Sequence, residues 1–253
     1  MSETGTDYPH LDKAPIVEAV IDFRVKLPSG FKLDAFQSLR TQLAKNYPGF
    51  EEQQIVQQRI RQELGSAPEV STRFSGIHGY RLLSSDGKNI VQLRRDGFTF
   101  SRLNPYTRWD EVFAEAWRLW TLYVSSAKPV EVSRIAVRYI NRMLFPLPFT
   151  NPGEYLKAPP ATADGWPKEM SAFLSRVVMH DSKSGVSVNV IQALEPQVPG
   201  QIDVALIFDI DAYENLSVPH DDVTIRERFG KLRQMKNRVF FKGLTEKAID
   251  LFR

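Results

Sequence analysis

The stretch 201–211 constrains the fold most, because its apolar side chains recur at every second position. The alternating residues are Ile202, Val204, Leu206, Phe208 and Ile210. A period of two places such side chains on one face of a β-strand and their neighbours on the other. The pattern therefore predicts a strand with one buried face, and such a strand needs a sheet around it.

Strand-forming patterns recur along the chain. Ser84-Ser85-Asp86-Gly87 predicts a hairpin turn between two of these segments, and Asp96-Gly97 can divide a third into two short strands. The segments that we predict as further strands are 15–27, 55–64, 70–83, 89–103, 130–144 and 186–194.

Helical spacing of apolar residues is clearest in 109–126. Thr107 is the expected N-cap of this helix, and Asp110 and Glu111 suit the positive end of its dipole. Its three tryptophans share one face with Phe113 and Val124, which indicates a core stripe. Other helices are predicted at 31–47, at 169–179, at 223–241, and in a short C-terminal helix capped by Thr245.

Pairs of strands interrupted by amphipathic helices favour an α+β fold, in which antiparallel sheet is packed by amphipathic helices. We expect one domain over 1–253. The alternative is two halves, 1–145 and 168–253, joined by the proline-rich connection 146–167. Both halves run strands and then a helix, so a duplicated α/β plait is a further alternative.

The composition excludes several classes of function. The 253 residues are 42% hydrophobic and 25% charged and contain no cysteine, so thiolate catalysis, disulfides and Cys-ligated zinc are excluded. The first residues lack the basic and apolar regions of a signal peptide, and no apolar run reaches the roughly 18 residues of a spanning helix. We expect a cytoplasmic protein without membrane contact.

Catalytic and cofactor motifs are missing from the sequence. It has no Gly-x-Ser-x-Gly elbow, no P-loop and no Gly-x-Gly-x-x-Gly, so no catalytic residue and no cofactor is predicted. His180-Asp181 and His220-Asp221-Asp222 offer metal-ligand types without a metal-binding spacing. We favour helix capping by Asp221 and Asp222 and predict no metal. An enzyme of unrecognised type would need His78 or His180 to meet a carboxylate in a pocket.

Arginines line one face of the predicted strand 130–144. Arg134, Arg138 and Arg142 project on the same side, and guanidinium groups there suit phosphate or carboxylate ligands. The favoured alternative is that carboxylates on neighbouring strands neutralise them as cross-strand ion pairs. The candidates for those carboxylates are Asp22, Asp203, Asp209 and Asp211.

The C-terminal segment 224–253 is the second basic feature, with nine Lys and Arg against three Asp and Glu, a local charge of +6. Arg228, Lys231, Arg238 and Lys242 lie near one another along one helix flank. Such a stripe can contact phosphates or an acidic partner, although charged helix flanks are more often only solvated.

Three short segments resemble a sporadically distributed bacterial family of conserved hypothetical proteins. They are Ala14-Pro15-Ile16-Val17-Glu18-Ala19-Val20, Arg138-Tyr139-Ile140-Asn141-Arg142 and Phe240-Phe241-Lys242-Gly243-Leu244-Thr245. The resemblance covers nearly the whole chain and brings no catalytic residues with it. The patchy distribution of the family implies an accessory system, such as a toxin–antitoxin or phage-defence system.

These patterns favour a non-enzymatic binding or regulatory protein that acts through a protein partner. The alternative is a nucleic-acid-associated protein that uses Arg134, Arg138, Arg142 and the C-terminal basic stripe. An enzyme of unrecognised type is the third hypothesis. The sequence indicates neither the partner nor the oligomeric state.

Overall fold

The computed structural model describes residues 8–61, 69–167, 170–196, 200 and 202–253 of the chain. Two 3-10 turns, Leu33–Phe36 and Pro152–Glu154, accompany nine strands and four helices in these ranges. The elements are β1 Ile16–Lys26, α1 Gln37–Leu43, β2 Gly49–Arg61, β3 Glu69–Leu83, β4 Asn89–Arg94, β5 Gly97–Leu103, α2 Trp109–Ala127, β6 Glu131–Pro146, β7 Phe173–Asp181, β8 Val186–Leu194, β9 Asp203–Val218, α3 Thr224–Gly243 and α4 Glu246–Asp250.

The nine strands form one antiparallel sheet in the order β2-β3-β4-β5-β1-β6-β9-β8-β7. The predicted α+β class, with antiparallel sheet packed by amphipathic helices, is therefore confirmed. Strands β1 and β6 pair with each other in the middle of the sheet, with Ile21 opposite Val137. The residues on both sides of the connection 146–167 consequently share one sheet.

The two halves repeat one topology about this central pair. Strand β1 is followed by a helical excursion, by the meander β2 to β5, which returns beside β1, and then by α2. Strand β6 is followed by a connection that holds the second 3-10 turn, by the meander β7 to β9, which returns beside β6, and then by α3. The repeated unit thus has a single long helix after the meander, whereas a plait has helices that cross between strands.

Helices α2 and α3 cover the same face of the sheet because their apolar stripes meet there. Phe23 of β1 stacks on Trp120 of α2 with 4.0 Å between ring centroids, and it also contacts Phe229 of α3 at 5.0 Å. Both Phe23 and Phe229 are fully buried. The opposite face of the sheet is polar, as is typical of an antiparallel sheet with only one face packed.

Three local predictions that precede the C-terminal helices are wrong. A helix is predicted over 169–179, but strand β7 begins within this segment, and Val177 and Val178 pair with β8. Thr107 is not the N-cap of α2; Arg108 occupies that position and no side chain there accepts a helix amide. The region 31–47 holds a 3-10 turn before a helix of only seven residues. Residues 62–64 of the predicted strand 55–64, like Gln201, lie outside the described residues.

Thr245 caps α4 as predicted, since its hydroxyl accepts the Ala248 amide at 3.3 Å. The predicted capping of α3 by Asp221 and Asp222 is not observed, because Val223 occupies the N-cap position and no described side chain caps the helix there. Asp222 accepts the Thr224 amide at 2.7 Å just before the helix begins. Among the described helices, none combines the length and apolar composition that crossing a membrane requires.

Candidate functional site

The arginines of β6 lie on the polar face of the sheet, and carboxylates neutralise each of them. Arg138 donates from Nε and Nη2 to the two carboxylate oxygens of Asp209, at 2.9 and 2.5 Å. Arg142 forms the same fork with Glu195, at 3.3 and 2.9 Å. These hydrogen bonds raise the pKa of both guanidinium groups. The predicted common face is observed, and its arginines are engaged in cross-strand ion pairs.

Arg134 belongs to a larger network around Asp22. It donates to Asp211 at 2.8 Å and to Asp22 at 3.3 Å. Burial raises the pKa of Asp211 even though Arg134 and Arg138 oppose that rise. The Asp22 carboxylate also accepts hydrogen bonds from Arg24, Arg94 and Thr99. With Arg138 and its partner, the connected ion pairs on this face join four carboxylates, Asp22, Asp96, Asp209 and Asp211, to four guanidinium groups, Arg24, Arg94, Arg134 and Arg138.

His78 meets a carboxylate in this network, but neither it nor Asp96 lines the cleft described below, whereas the enzyme hypothesis required such a pair inside a pocket. Its Nε2 lies 3.0 Å from Asp96 Oδ1, and Arg94 donates to the same oxygen at 3.1 Å. Burial opposes ionisation of Asp96, but Arg94, Arg24 and His78 together lower its pKa. His180 instead bonds Ser187 on β8, at 3.1 Å. Within the ranges that the structure describes, no three His, Asp or Glu side chains gather as metal ligands would.

The predicted basic stripe of the C-terminal helix is partly paired. Arg228 forms an ion pair with Glu214 of β9, and Arg238 forms one with Asp181 of β7 at 3.0 Å. Lys231 and Lys242 are exposed, and no carboxylate of the described chain lies within 4.0 Å of either. Of the four residues, only these two lysines present a charge that no described carboxylate compensates.

A cleft of about 850 Å³ lies at one end of the helical layer. Its walls are the N-terminal segment 8–16, the segment 104–110 that leads into α2, and α3, and its floor includes Tyr139 and Asn141 of β6. Tyr8 and Phe241 stack on each other at 4.8 Å along one wall. Trp109 stacks on Phe113 at 5.0 Å on another. Clefts that bind small molecules have roughly this size and aromatic character.

Lys236 of α3 reaches this cleft although its side chain is almost completely buried. The residue is 9% exposed, and Nζ lies 3.8 Å from the centre of the Tyr139 ring. No hydrogen-bond acceptor or carboxylate of the described residues contacts its amine. Burial, with a smaller effect from Arg233, lowers the pKa of Lys236 to about 7. A cation–π contact alone thus supports this ammonium group.

A pair of tyrosine hydroxyls lies beside Lys236. Tyr106 Oη and Tyr139 Oη are 2.7 Å apart, and the rings meet edge to face. Burial raises the pKa of Tyr106 and raises that of Tyr139 well above its ordinary value. Both groups therefore stay protonated at neutral pH, and they are hydrogen-bond donors or acceptors rather than bases.

Sequence reasoning missed Lys236, although the sequence contained a signal. Leu232, Lys236 and Phe240 recur at intervals of four, so the lysine stands within the apolar stripe of α3. A lysine at such a position is either unpaired in the core or directed into a site. The prediction counted it instead among the cations of the solvated flank.

Strand β7 is the second feature that the sequence did not indicate. It ends the sheet, and its large apolar side chains are exposed on both faces: Leu174 and Val178 on the polar face, Val177 and Met179 on the helical face. At the opposite end of the sheet, β2 carries Glu51 and Glu52, charges of the kind that protect an edge. The two sheet edges therefore differ in chemistry.

Comparison with protein-family models gives no match for this chain, and comparison with curated proteins gives no significant similarity. The fold and its sites thus define an α+β protein with a charge-balanced sheet face, an aromatic cleft and one apolar sheet edge.

Proposed function

We propose that the protein is a binding or regulatory protein that recognises a protein partner through the free edge of β7. The observation that supports this best is the exposure of Leu174, which is 77%, and of Val178, which is 56%, on a strand that ends the sheet. An edge strand offers backbone donors and acceptors that an extended segment of another chain can pair with. Apolar side chains on both faces of β7 suit the same mode of pairing.

The partner segment that fits is an extended strand with apolar and acidic side chains. Arg176 and His180 lie on one face of β7. Among the described residues, the Arg176 side chain donates only to the Asn189 amide oxygen, at 2.9 Å. If two copies of β7 paired antiparallel around Val177, their Arg176 side chains would be diagonal neighbours. Like charges so placed disfavour pairing, whereas an acidic residue there would favour it.

Capture from a nuclease-treated native lysate tests the proposal with two matched variants. Val178→Lys places a charge on the edge, and Val223→Lys places the same charge at an exposed valine away from β7. We expect one stoichiometric protein that the wild type and Val223→Lys retain and Val178→Lys loses. Hydrogen exchange of the purified complex should then show protection of the β7 amides.

Four results would overturn the partner-strand proposal. One is capture that Val178→Lys leaves unchanged, and a second is the absence of any captured protein. A third is a wild-type dimer that Val178→Lys converts to a monomer, because β7 would then pair with its own copy. The fourth is capture of nucleic acid that disappears with Lys231→Glu and Lys242→Glu, which would favour the nucleic-acid alternative.

The nucleic-acid alternative has less support than partner binding. It needs free cations, and Arg134, Arg138 and Arg142 are engaged with carboxylates on their own sheet. Lys231 and Lys242 are left to carry it. A role in an accessory or phage-defence system is still an expectation that comes from the family resemblance.

A further inference from the structure

Two cationic side chains of α3, Arg233 and Lys236, line the cleft, and neither forms an ion pair with a described carboxylate. Arg233 lies over the Trp109 ring, with Cζ 5.4 Å from its centroid, and it lowers the pKa of the neighbouring Lys236. Neither Arg233 nor Lys236 has a carboxylate of the described residues within 4.0 Å, although Asp12 and Asp110 also line the cleft. Arg233 is exposed to solvent, but the ammonium group of Lys236 is buried, and a buried charge is costly unless an anion pairs with it.

The N-terminus of α2 opens into the same cleft. Arg108, Trp109 and Asp110 line it, and no side chain caps the first turn of this 19-residue helix. The first amides of a helix lack intrahelical partners and carry partial positive charge, so they bind anions. One cleft is therefore lined by the N-terminus of α2 and by two groups of α3, the Arg233 guanidinium and the buried amine of Lys236.

The chemistry of this space selects a phosphate group. An arginine fork, a compact ammonium group and free helix amides together match an anion with several oxygens and two charges. The remaining walls are aromatic, including Tyr8, Tyr106 and Trp109, and they offer flat surfaces to the rest of a ligand. A cleft of about 850 Å³ accommodates a molecule of nucleotide size.

We propose that this cleft binds a phosphorylated small molecule, whose phosphate is held by Lys236, Arg233 and the N-terminus of α2. This site is separate from the β7 edge and does not depend on partner binding. Phosphate binding would supply the counter-ion that Lys236 lacks, and the lysine would then hold its proton more tightly than in the free protein. Binding above pH 7 should consequently take up a proton.

Other ionisable groups border the cleft and belong in any account of its pH dependence. They come from every element that packs around Lys236. These groups are Tyr8, His10, Asp12 and Lys13 of the N-terminal segment, Tyr106, Arg108 and Asp110 at or just before the start of α2, Tyr139 of β6 and Arg233 of α3.

Isothermal titration of the full-length protein tests the proposal, with inorganic phosphate, adenosine monophosphate and adenosine as probes. We expect saturable binding of both phosphate compounds and weaker or no binding of adenosine. Lys236→Met should weaken phosphate binding by about tenfold or more, the loss of one charge-assisted contact. Lys231→Met is the matched control, because it removes an exposed lysine from the same helix and should leave the affinity unchanged.

Repeating the titration at pH 8 in two buffers of different ionisation enthalpy measures the proton uptake. The wild type and Lys231→Met should take up a fraction of a proton, and Lys236→Met should not. Arg233→Met provides a second variant with an expected loss of affinity. The proposal is overturned if neither phosphate compound binds, if succinate binds in preference to both, or if Lys236→Met and Lys231→Met bind phosphate equally well.

Discussion

Arg94 Nη2 donates to Asp22 Oδ1 at 3.0 Å, and both residues are at least nine-tenths buried on the polar face of the sheet. The same carboxylate accepts the Thr99 hydroxyl at 2.6 Å and Arg134 Nη1 at 3.3 Å. Asp22 therefore joins β1 to β4, β5 and β6, and β6 is the first strand of the second repeated unit. The network holds the centre of the sheet together on the face that no helix covers.

Replacing Asp22 by alanine should lower the free energy of unfolding by about 3 kcal/mol, because the buried Arg94 would lose its counter-ion. Arg142→Gln is the control, since the Arg142–Glu195 pair is about 40% exposed on both sides and should contribute less than about 1 kcal/mol. Urea unfolding measures both. Equal losses for the two variants would contradict a structural role for the buried network.

Replacing Gly79 and Gly230 by alanine should change the stability of the protein in opposite directions. A Cβ at Gly79 would lie 2.2 Å from the Leu93 carbonyl oxygen, so β3 and β4 would have to separate, and we expect a loss of about 2 kcal/mol. Gly230 lies inside α3 with no atom within 4 Å of an added Cβ. Alanine there should stabilise the protein by roughly 0.5–1 kcal/mol. Thermal unfolding of the two variants distinguishes these outcomes by sign.

The sequence predicted the central strands well because their two faces have different environments. In β6, Ile135, Val137 and Tyr139 are buried. Arg134 and Arg138 lie on the polar face, where they donate to Asp211 and Asp209 of β9. Burial of one face imposes a period of two, which is visible without a structure. The pairing of arginine with aspartate followed from the same alternation.

The edge strand could not be identified in the same way. Residues 173–181 are mostly exposed on both faces, so burial imposes no alternation on them, and the hydrogen bonds to β8 determine their conformation.

The burial of Lys236 could not be predicted for a different reason. Its burial depends on segments 8–16 and 104–110, which are distant in sequence and meet α3 only in the folded protein.

Hydrogen exchange should show that β7 is the least protected strand among β7, β8 and β9. Strand β8 is paired on both sides, with β7 and β9, whereas β7 pairs with β8 alone in the described part of the chain. Amides of β7 that point away from β8 should therefore exchange rapidly. Protection of β7 equal to that of β8 in the free protein would mean that the edge is already covered in solution.

The stability of the protein should depend on Lys236 in a pH range set by two pKa values. In the folded protein the pKa of Lys236 is lowered to about 7, and in the unfolded chain it has its ordinary value of 10.5. Between these values the unfolded chain binds a proton that the folded protein does not. Wild-type stability should thus rise with pH relative to Lys236→Met, by about 1.4 kcal/mol per pH unit.

Urea unfolding of the wild type and of Lys236→Met at pH 8 and at pH 9.5 measures this dependence. The difference in the free energy of unfolding between the two proteins should change by about 2 kcal/mol from pH 8 to pH 9.5. Below pH 7 the lysine is protonated in both states, so the difference should become constant there. The other ionisable groups of the cleft are common to both proteins and cancel in the comparison. Lys231→Met should follow the wild type at every pH, because Lys231 is exposed. A difference that does not vary with pH would mean that the Lys236 amine is solvated in the folded protein.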